Sequence, residues 1–111
     1  MADALVVASV KRRLQALQSE FGLDAQAAVL FGSHARGGAD ASSDIDIVVL
    51  AGRFDTGITR QDVELLWWAA ATTDSRIEPI ACGERQWAED DKSAILEFAR
   101  REGQMIRADA A

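Results

Sequence analysis

The sequence predicts a small α/β (α+β) fold, a mixed β-sheet covered by helices. Three features carry this: an opening amphipathic helix, two short apolar runs with a polar loop between them, and helical patterns that alternate with a third such run. At 111 residues the chain is long enough to bury one core and short of the length at which cores split, so residues 1–111 are read as a single domain.

From Ala4 to Phe21 apolar residues recur every three or four positions, at Val6, Val10, Leu14, Leu17 and Phe21, and Gly22 follows where a left-handed helix stop would sit. Lys11, Arg12 and Arg13 fall on the polar side of this helix and are read as a solvated face. Ala27 to Phe31 and Ile45 to Leu50 are continuous apolar runs, the pattern of strands buried on both faces. Thr59 through Asp74 predicts a second helix. Thr59 is its cap, Asp62 lies in its first turn, and Val63, Leu66, Trp67 and Ala70 share a face. The adjacent Trp67 and Trp68 point about 100° apart, so both are buried only if that face is wide, and one of them is a candidate for a partner interface. Arg76 to Cys82 reads as a third strand, with Pro79 marking an edge or bulge. Glu84 to Arg101 carries a third helical pattern that stops at Gly103, Gln104 to Ile106 could add a strand, and Asp109 to Ala111 reads as a frayed tail.

Composition excludes several functions. A formal charge of −6 with scattered Lys and Arg lacks the basic face that nucleic acid requires. No apolar run is long enough to span a bilayer and no signal segment opens the chain, so a cytoplasmic protein without membrane contact is expected. One cysteine, Cys82, and one histidine are too few for a zinc cage, so any metal must be held mainly by carboxylates. Cys82 itself has no evident neighbouring base and reads as a small buried hydrophobe.

Two short pieces carry the chemistry. Leu30-Phe31-Gly32-Ser33 ends a strand in a glycine, and Asp44-Ile45-Asp46 follows with ten residues between it and Ser33. Alternate strand residues point to one face with Cα atoms roughly 6.5–7 Å apart, so Asp44 and Asp46 can converge on a cation while Ile45 faces the core. Paired carboxylates repel, and magnesium shared between such acids and substrate phosphates relieves the repulsion. Gly32 lacks a Cβ and lets phosphate approach the backbone, Ser33 offers a hydroxyl and an amide N–H, and Arg36 supplies a cation. Asp-x-Asp alone is more often a strand end with solvated acids; its interval from Gly-Ser is what makes it a metal site. Gly37-Gly38 reads as a turn, and His34 as a solvated loop imidazole with no assigned catalysis.

Gly32-Ser33, ten residues, then Asp44-Ile45-Asp46, within Phe31-Gly32-Ser33-His34-Ala35-Arg36-Gly37 and Ser43-Asp44-Ile45-Asp46-Ile47, resembles the minimal nucleotidyltransferases of the DNA polymerase beta superfamily. The resemblance implies a polymerase beta palm-like nucleotidyltransferase fold. It implies ATP as substrate, two Mg2+ ions on Asp44 and Asp46, the triphosphate on Gly32, Ser33 and Arg36, and a third carboxylate on a later strand. Glu78 is the candidate for that third position, as metal ligand or base, although the family usually has aspartate there and Pro79 follows. Stand-alone domains of the family are often paired with a helical HEPN-type protein, and some are antitoxins that transfer AMP from ATP to a toxin hydroxyl. This chain has no tyrosine, so a tyrosine acceptor would have to belong to the partner. Two alternatives stand beside this reading: a non-catalytic antitoxin that sequesters a helical partner, and transfer to a small molecule. Monomer, homodimer and hetero-oligomer are all open.

Overall fold

The computed structural model describes residues 3–36, 39–40 and 42–108, and at Arg36 and Thr73 the backbone alone. In chain order it contains α1 (Ala4–Phe21), β1 (Ala25–Phe31), α2 (Ser33–Arg36), β2 (Ile45–Ala51), a 3₁₀ turn (Gly52–Thr56), α3 (Arg60–Thr73), β3 (Ile77–Cys82), α4 (Glu84–Glu89), α5 (Ala94–Glu102) and β4 (Gln104–Arg107). The strands form one mixed sheet in the order β3-β2-β1-β4. β1 runs antiparallel to both β2 and β4, and β2 runs parallel to β3. A parallel pair cannot be joined by a tight hairpin. Here α3 makes the crossover.

The period of two along each strand sorts side chains between two apolar layers. Ala28, Leu30, Ile47 and Val49 face α1 and α3, where Val10, Leu14, Leu17, Leu66 and Ala70 complete the larger cluster. Val29, Phe31, Val48 and Leu50 face the other way, against Leu96 and Ala99 of α5. β1 and β2 are thus buried on both sides, as their unbroken apolar runs predict. Pro79 lies in β3, an edge strand of the sheet, where a missing N–H costs least.

α1 has its predicted limits. Asp3 caps its start by accepting from the Leu5 N–H, and Gly22, at φ 64°, closes it with an N–H to the Leu17 carbonyl. α3 begins at the Thr59–Asp62 capping box.

Several expectations need correction. The helix anticipated from Glu84 to Arg101 is two helices, because Asp90 accepts from the N–H groups of Lys92 and Ser93 and Ser93 then caps α5 through the Leu96 N–H. The buried face of α3 is Leu66, Ala69 and Ala70, and Val63, Trp67 and Trp68 are exposed, Trp68 at 60%. Arg13 is not solvated: it is 2% exposed, and its Nε and Nη2 have no hydrogen-bond partner. Desolvation lowers its pKa. The short helix α2 and the 3₁₀ turn appear where loop was expected, and β1 starts two residues earlier than its apolar run. The Gly37-Gly38 turn and the Asp109–Ala111 tail lie outside the described residues.

Gly103 sets how closely α5 approaches the sheet. A Cβ there would collide with the Ala99 carbonyl oxygen, stand 2.6 Å from Cγ1 of Val29 and lie 3.0 Å from the Leu30 carbonyl oxygen. Two of those three atoms are backbone and cannot swing away. Gly103→Ala should therefore lower stability by about 1–3 kcal/mol through overpacking, read as a reduced thermal midpoint.

Candidate active site

β1 ends at Phe31, whose cross-strand partner is Asp46. The next residue, Gly32, turns the chain with φ 78°, and a Cβ placed on it would stand 2.6 Å from Oδ2 of Asp46. The glycine therefore serves the protein's own geometry as well as any phosphate: without it the Asp46 carboxylate could not lie against the corner. Ser33 follows as the first residue of α2. Its side chain is half-buried, and among the described residues its hydroxyl makes no hydrogen bond. Arg36 ends α2, and its side chain lies outside the described residues.

The parallel register of β2 and β3 pairs Asp46 with Glu78. Partners in register point to the same face, and this is the face that carries Val48 and Leu50 on one strand and Ile80 and Cys82 on the other. Asp44 stands just before β2, and the start of the pairing is pinned by a 2.8 Å bond from the Ile45 N–H to the Arg76 carbonyl. Arg76 is itself held by Asp74 through its Nε at 3.0 Å and its Nη2 at 2.7 Å. Asp44, Asp46 and Glu78 thus meet at the entry to β2 and β3, beside the Gly32-Ser33 corner. Ile45 faces the core, fully buried.

This crowding is costly and shows in the titration of the group. Burial, then the charge of Asp44, raises the Asp46 pKa, with His34 opposing. Glu78 is raised first by a hydrogen bond shared with Asp44, then by burial and by the negative charges of Asp44 and Asp46. Among the described residues none of the three carboxylates is in an ion pair. Nor do three His, Cys, Asp or Glu side chains form a ready-made metal cage among the described residues. An all-oxygen donor set with excess negative charge suits a hard divalent cation.

Two supports lie outside the sequence reading. His34 is buried, at 7% exposed, and its Nε2 lies 3.1 Å from the Ser43 carbonyl oxygen. A carbonyl only accepts, so Nε2 carries the proton. This ties α2 to the residue before Asp44 and corrects the solvated-imidazole reading. Asp40 Oδ1 accepts from the Ser42 N–H at 2.8 Å and the Ser42 hydroxyl at 2.7 Å, and the Asp40 N–H donates to the Ser43 hydroxyl at 3.0 Å. The Asp40-x-Ser42-Ser43 spacing is a turn signal that could have been read from sequence. Cys82 is buried, and burial pushes its thiol up to about 11, so it is an inert packing residue. A hollow of about 570 Å3 between the 3₁₀ turn and α4 sits at the far ends of β2 and β3 and does not belong to this corner.

The family model described as nucleotidyltransferase domain matches residues 10–101. No curated protein matches the chain. Among solved structures, the chain resembles a presumed nucleotidyltransferase from Sulfolobus solfataricus, with TM-score 0.59 and 18% identity over 91% of this chain and 78% of that one. It also resembles a toxin-antitoxin crystallised with AMP-PNP, with TM-score 0.60 and 22% identity over 89% of this chain and 73% of that one. A third likeness is to a mutant of the toxin-antitoxin MntA-HpeT in which two aspartates are changed to glutamate, with TM-score 0.58 and 21% identity over the same shares. At these identities the likeness establishes the fold, which is that of nucleotidyltransferases.

The raised carboxyls have a consequence for stability. In the folded chain Asp46 and Glu78 ionise less readily than in the unfolded chain, so their stabilising share is full below the ordinary carboxylate range and is lost as pH rises through their folded values. Asp46→Asn and Glu78→Gln should each raise the thermal midpoint at neutral pH, and the gain over the parent should fade in acid, where both carboxyls are protonated in either state. Midpoints measured across pH check this.

Proposed function

Since the chain belongs to the nucleotidyltransferase domain family, we propose that it transfers AMP from ATP to a hydroxyl of a protein partner and acts as the antitoxin of a helical, HEPN-type toxin. The single observation that carries this reading is the meeting of Asp44, Asp46 and Glu78 beside the Gly32-Ser33 corner. The toxin-antitoxin likenesses, one of them with AMP-PNP, support the partner and the donor.

In this reading the triphosphate lies against Gly32 and the amide and hydroxyl of Ser33, with Arg36 as its counter-charge. Asp44, Asp46 and Glu78 would hold two Mg2+ ions, which supply charge stabilisation for the transferring phosphoryl group. The acceptor oxygen bonds to the α-phosphorus as the bond from that phosphorus to the bridging oxygen breaks, and pyrophosphate leaves in line. If Glu78 instead stands free of the metal, it is the group placed to take the acceptor proton. His34 and the Asp40–Ser43 turn keep Asp44 in place and take no part in the chemistry. With no tyrosine in the chain, a tyrosine acceptor must be the partner's. A reaction on ATP and Mg2+ would suit the cytoplasm, and no helix of the described residues is long and apolar enough to cross a membrane.

A second reading, sequestration without catalysis, draws on the exposed Val63, Trp67 and Trp68 of α3. One experiment separates the two. With α-labelled ATP, Mg2+ and the partner, the parent chain should label the partner and not itself, and Asp44→Asn with Asp46→Asn should cut labelling by at least about a hundredfold and leave the toxin active. Neutralisation undiminished by the double substitution would establish sequestration, and label on the isolated chain would overturn the partner-acceptor assignment.

A further inference from the structure

We infer that Ile58, Val63 and Trp67, together with the hollow between the 3₁₀ turn and α4, form a docking groove for a partner's amphipathic helix that is basic at one end. The hollow lies at the opposite ends of β2 and β3 from the Asp44–Asp46–Glu78 corner, so the inference holds whether or not that corner transfers AMP. Ile58 joins the two parts of the groove. It lines the hollow, and it stands one residue before Thr59, the cap of α3. A residue in that position sits beside the fourth residue of the helix, here Val63, and Trp67 follows on the same face one turn later. The three are 41%, 41% and 45% exposed, an apolar stripe that starts in the hollow and runs along α3. The chain closes its core with Leu66, Ala69 and Ala70 of the same helix and leaves this stripe open. Trp68 meets Phe21 edge-on, with ring centroids 5.6 Å apart, and is not part of it.

Charge identifies the occupant. Among the described residues the hollow, of about 570 Å3, is walled by Asp55, Glu89 and Asp90 against Arg85 alone, with Phe54 and Ile58 as its apolar part. Asp55 accepts from the Arg85 N–H at 2.9 Å, and Asp90 from the Lys92 and Ser93 N–H groups at 2.7 and 3.2 Å. These neutral donors fix the carboxylates in place and leave their charge. The Arg85 guanidinium meets Glu89 at 3.6 Å in a pair exposed on both sides, which contributes little. A cationic side chain that enters the hollow therefore finds net negative charge, while the stripe beside it takes apolar side chains at helical spacing. A second copy of the chain does not fit this description, because it brings a formal charge of −6 to a surface that is already acidic. An extended segment would need a free strand edge to pair with, and α3 offers none.

The test uses the full chain without nucleotide and three labelled synthetic peptides. One is a leucine-lysine peptide patterned as an amphipathic helix, one is its leucine-glutamate counterpart, and one is the leucine-lysine peptide interrupted by proline. Fluorescence anisotropy measures binding to the parent, to Val63→Ser with Trp67→Ser, to Glu89→Lys, and to Leu5→Ser, a control at the start of α1 whose side chain is 78% exposed. The expected result is that the leucine-lysine peptide binds the parent and the other two bind at least about tenfold more weakly. The α3 double substitution should weaken the leucine-lysine peptide about tenfold, Glu89→Lys should weaken it and flatten its salt dependence, and Leu5→Ser should leave it unchanged. Absence of binding, equal binding of the three peptides, indifference to the α3 and Glu89 substitutions, or a loss shared by Leu5→Ser would each overturn the assignment. So would sedimentation showing a dimeric parent and a monomeric α3 variant, which gives the stripe to a second copy.

Discussion

Pairing β2 with β3 in parallel, with Asp46 opposite Glu78, obliges two acidic side chains to share one face of the sheet, with a third acid, Asp44, two residues before Asp46. Backbone hydrogen bonding fixes this register, and the apolar neighbours Val48, Ile80 and Leu50, on the same face as the acids, anchor it by packing in the layer that α5 covers. The hydrophobic layers thus hold the carboxylates together against their own repulsion. The raised pKa values of Asp46 and Glu78 are the sign that some of that work remains uncompensated in the bare protein. A site held under such strain has free energy to gain from a divalent cation.

The surrounding elements extend the same constraint. Gly32 vacates the space that Asp46 occupies. His34 and the Asp40–Ser43 turn hold the approach to Asp44, and the Asp74–Arg76 pair holds the approach to β3. On the other flank α5, seated through Gly103 close to β1, sets Phe98 edge-on against Phe31.

Much of this was legible in the chain because the signals are local. Continuous apolar runs bounded by Gly32 and Gly83, a helix stop at Gly22, the cap at Thr59 and the proline in β3 each act within a few residues, and each element they predict is present with limits shifted by two residues or fewer. The misses are those in which short-range chemistry competes with a longer pattern. Asp90 and Ser93 break one apparent helix into two, and Asp62 together with Leu66 rotates α3 away from the face its apolar spacing suggests. Arg13 and His34, polar by type, are buried because of what the fold lays over them.

By itself the sequence determined the family, the order of the four strands and of the longer helices α1 and α3, and the acids and glycine that form the corner, because a motif of fixed spacing encodes which residues lie close along the chain. Only the tertiary structure decided that Glu78 joins Asp44 and Asp46, since strand register is a long-range choice that Glu78's own neighbours do not contain. The same holds for the seat of His34 against Ser43 and for the exposure of Trp67, Trp68 and Phe98. Burial depends on which surfaces meet, and that is settled by packing the whole chain at once.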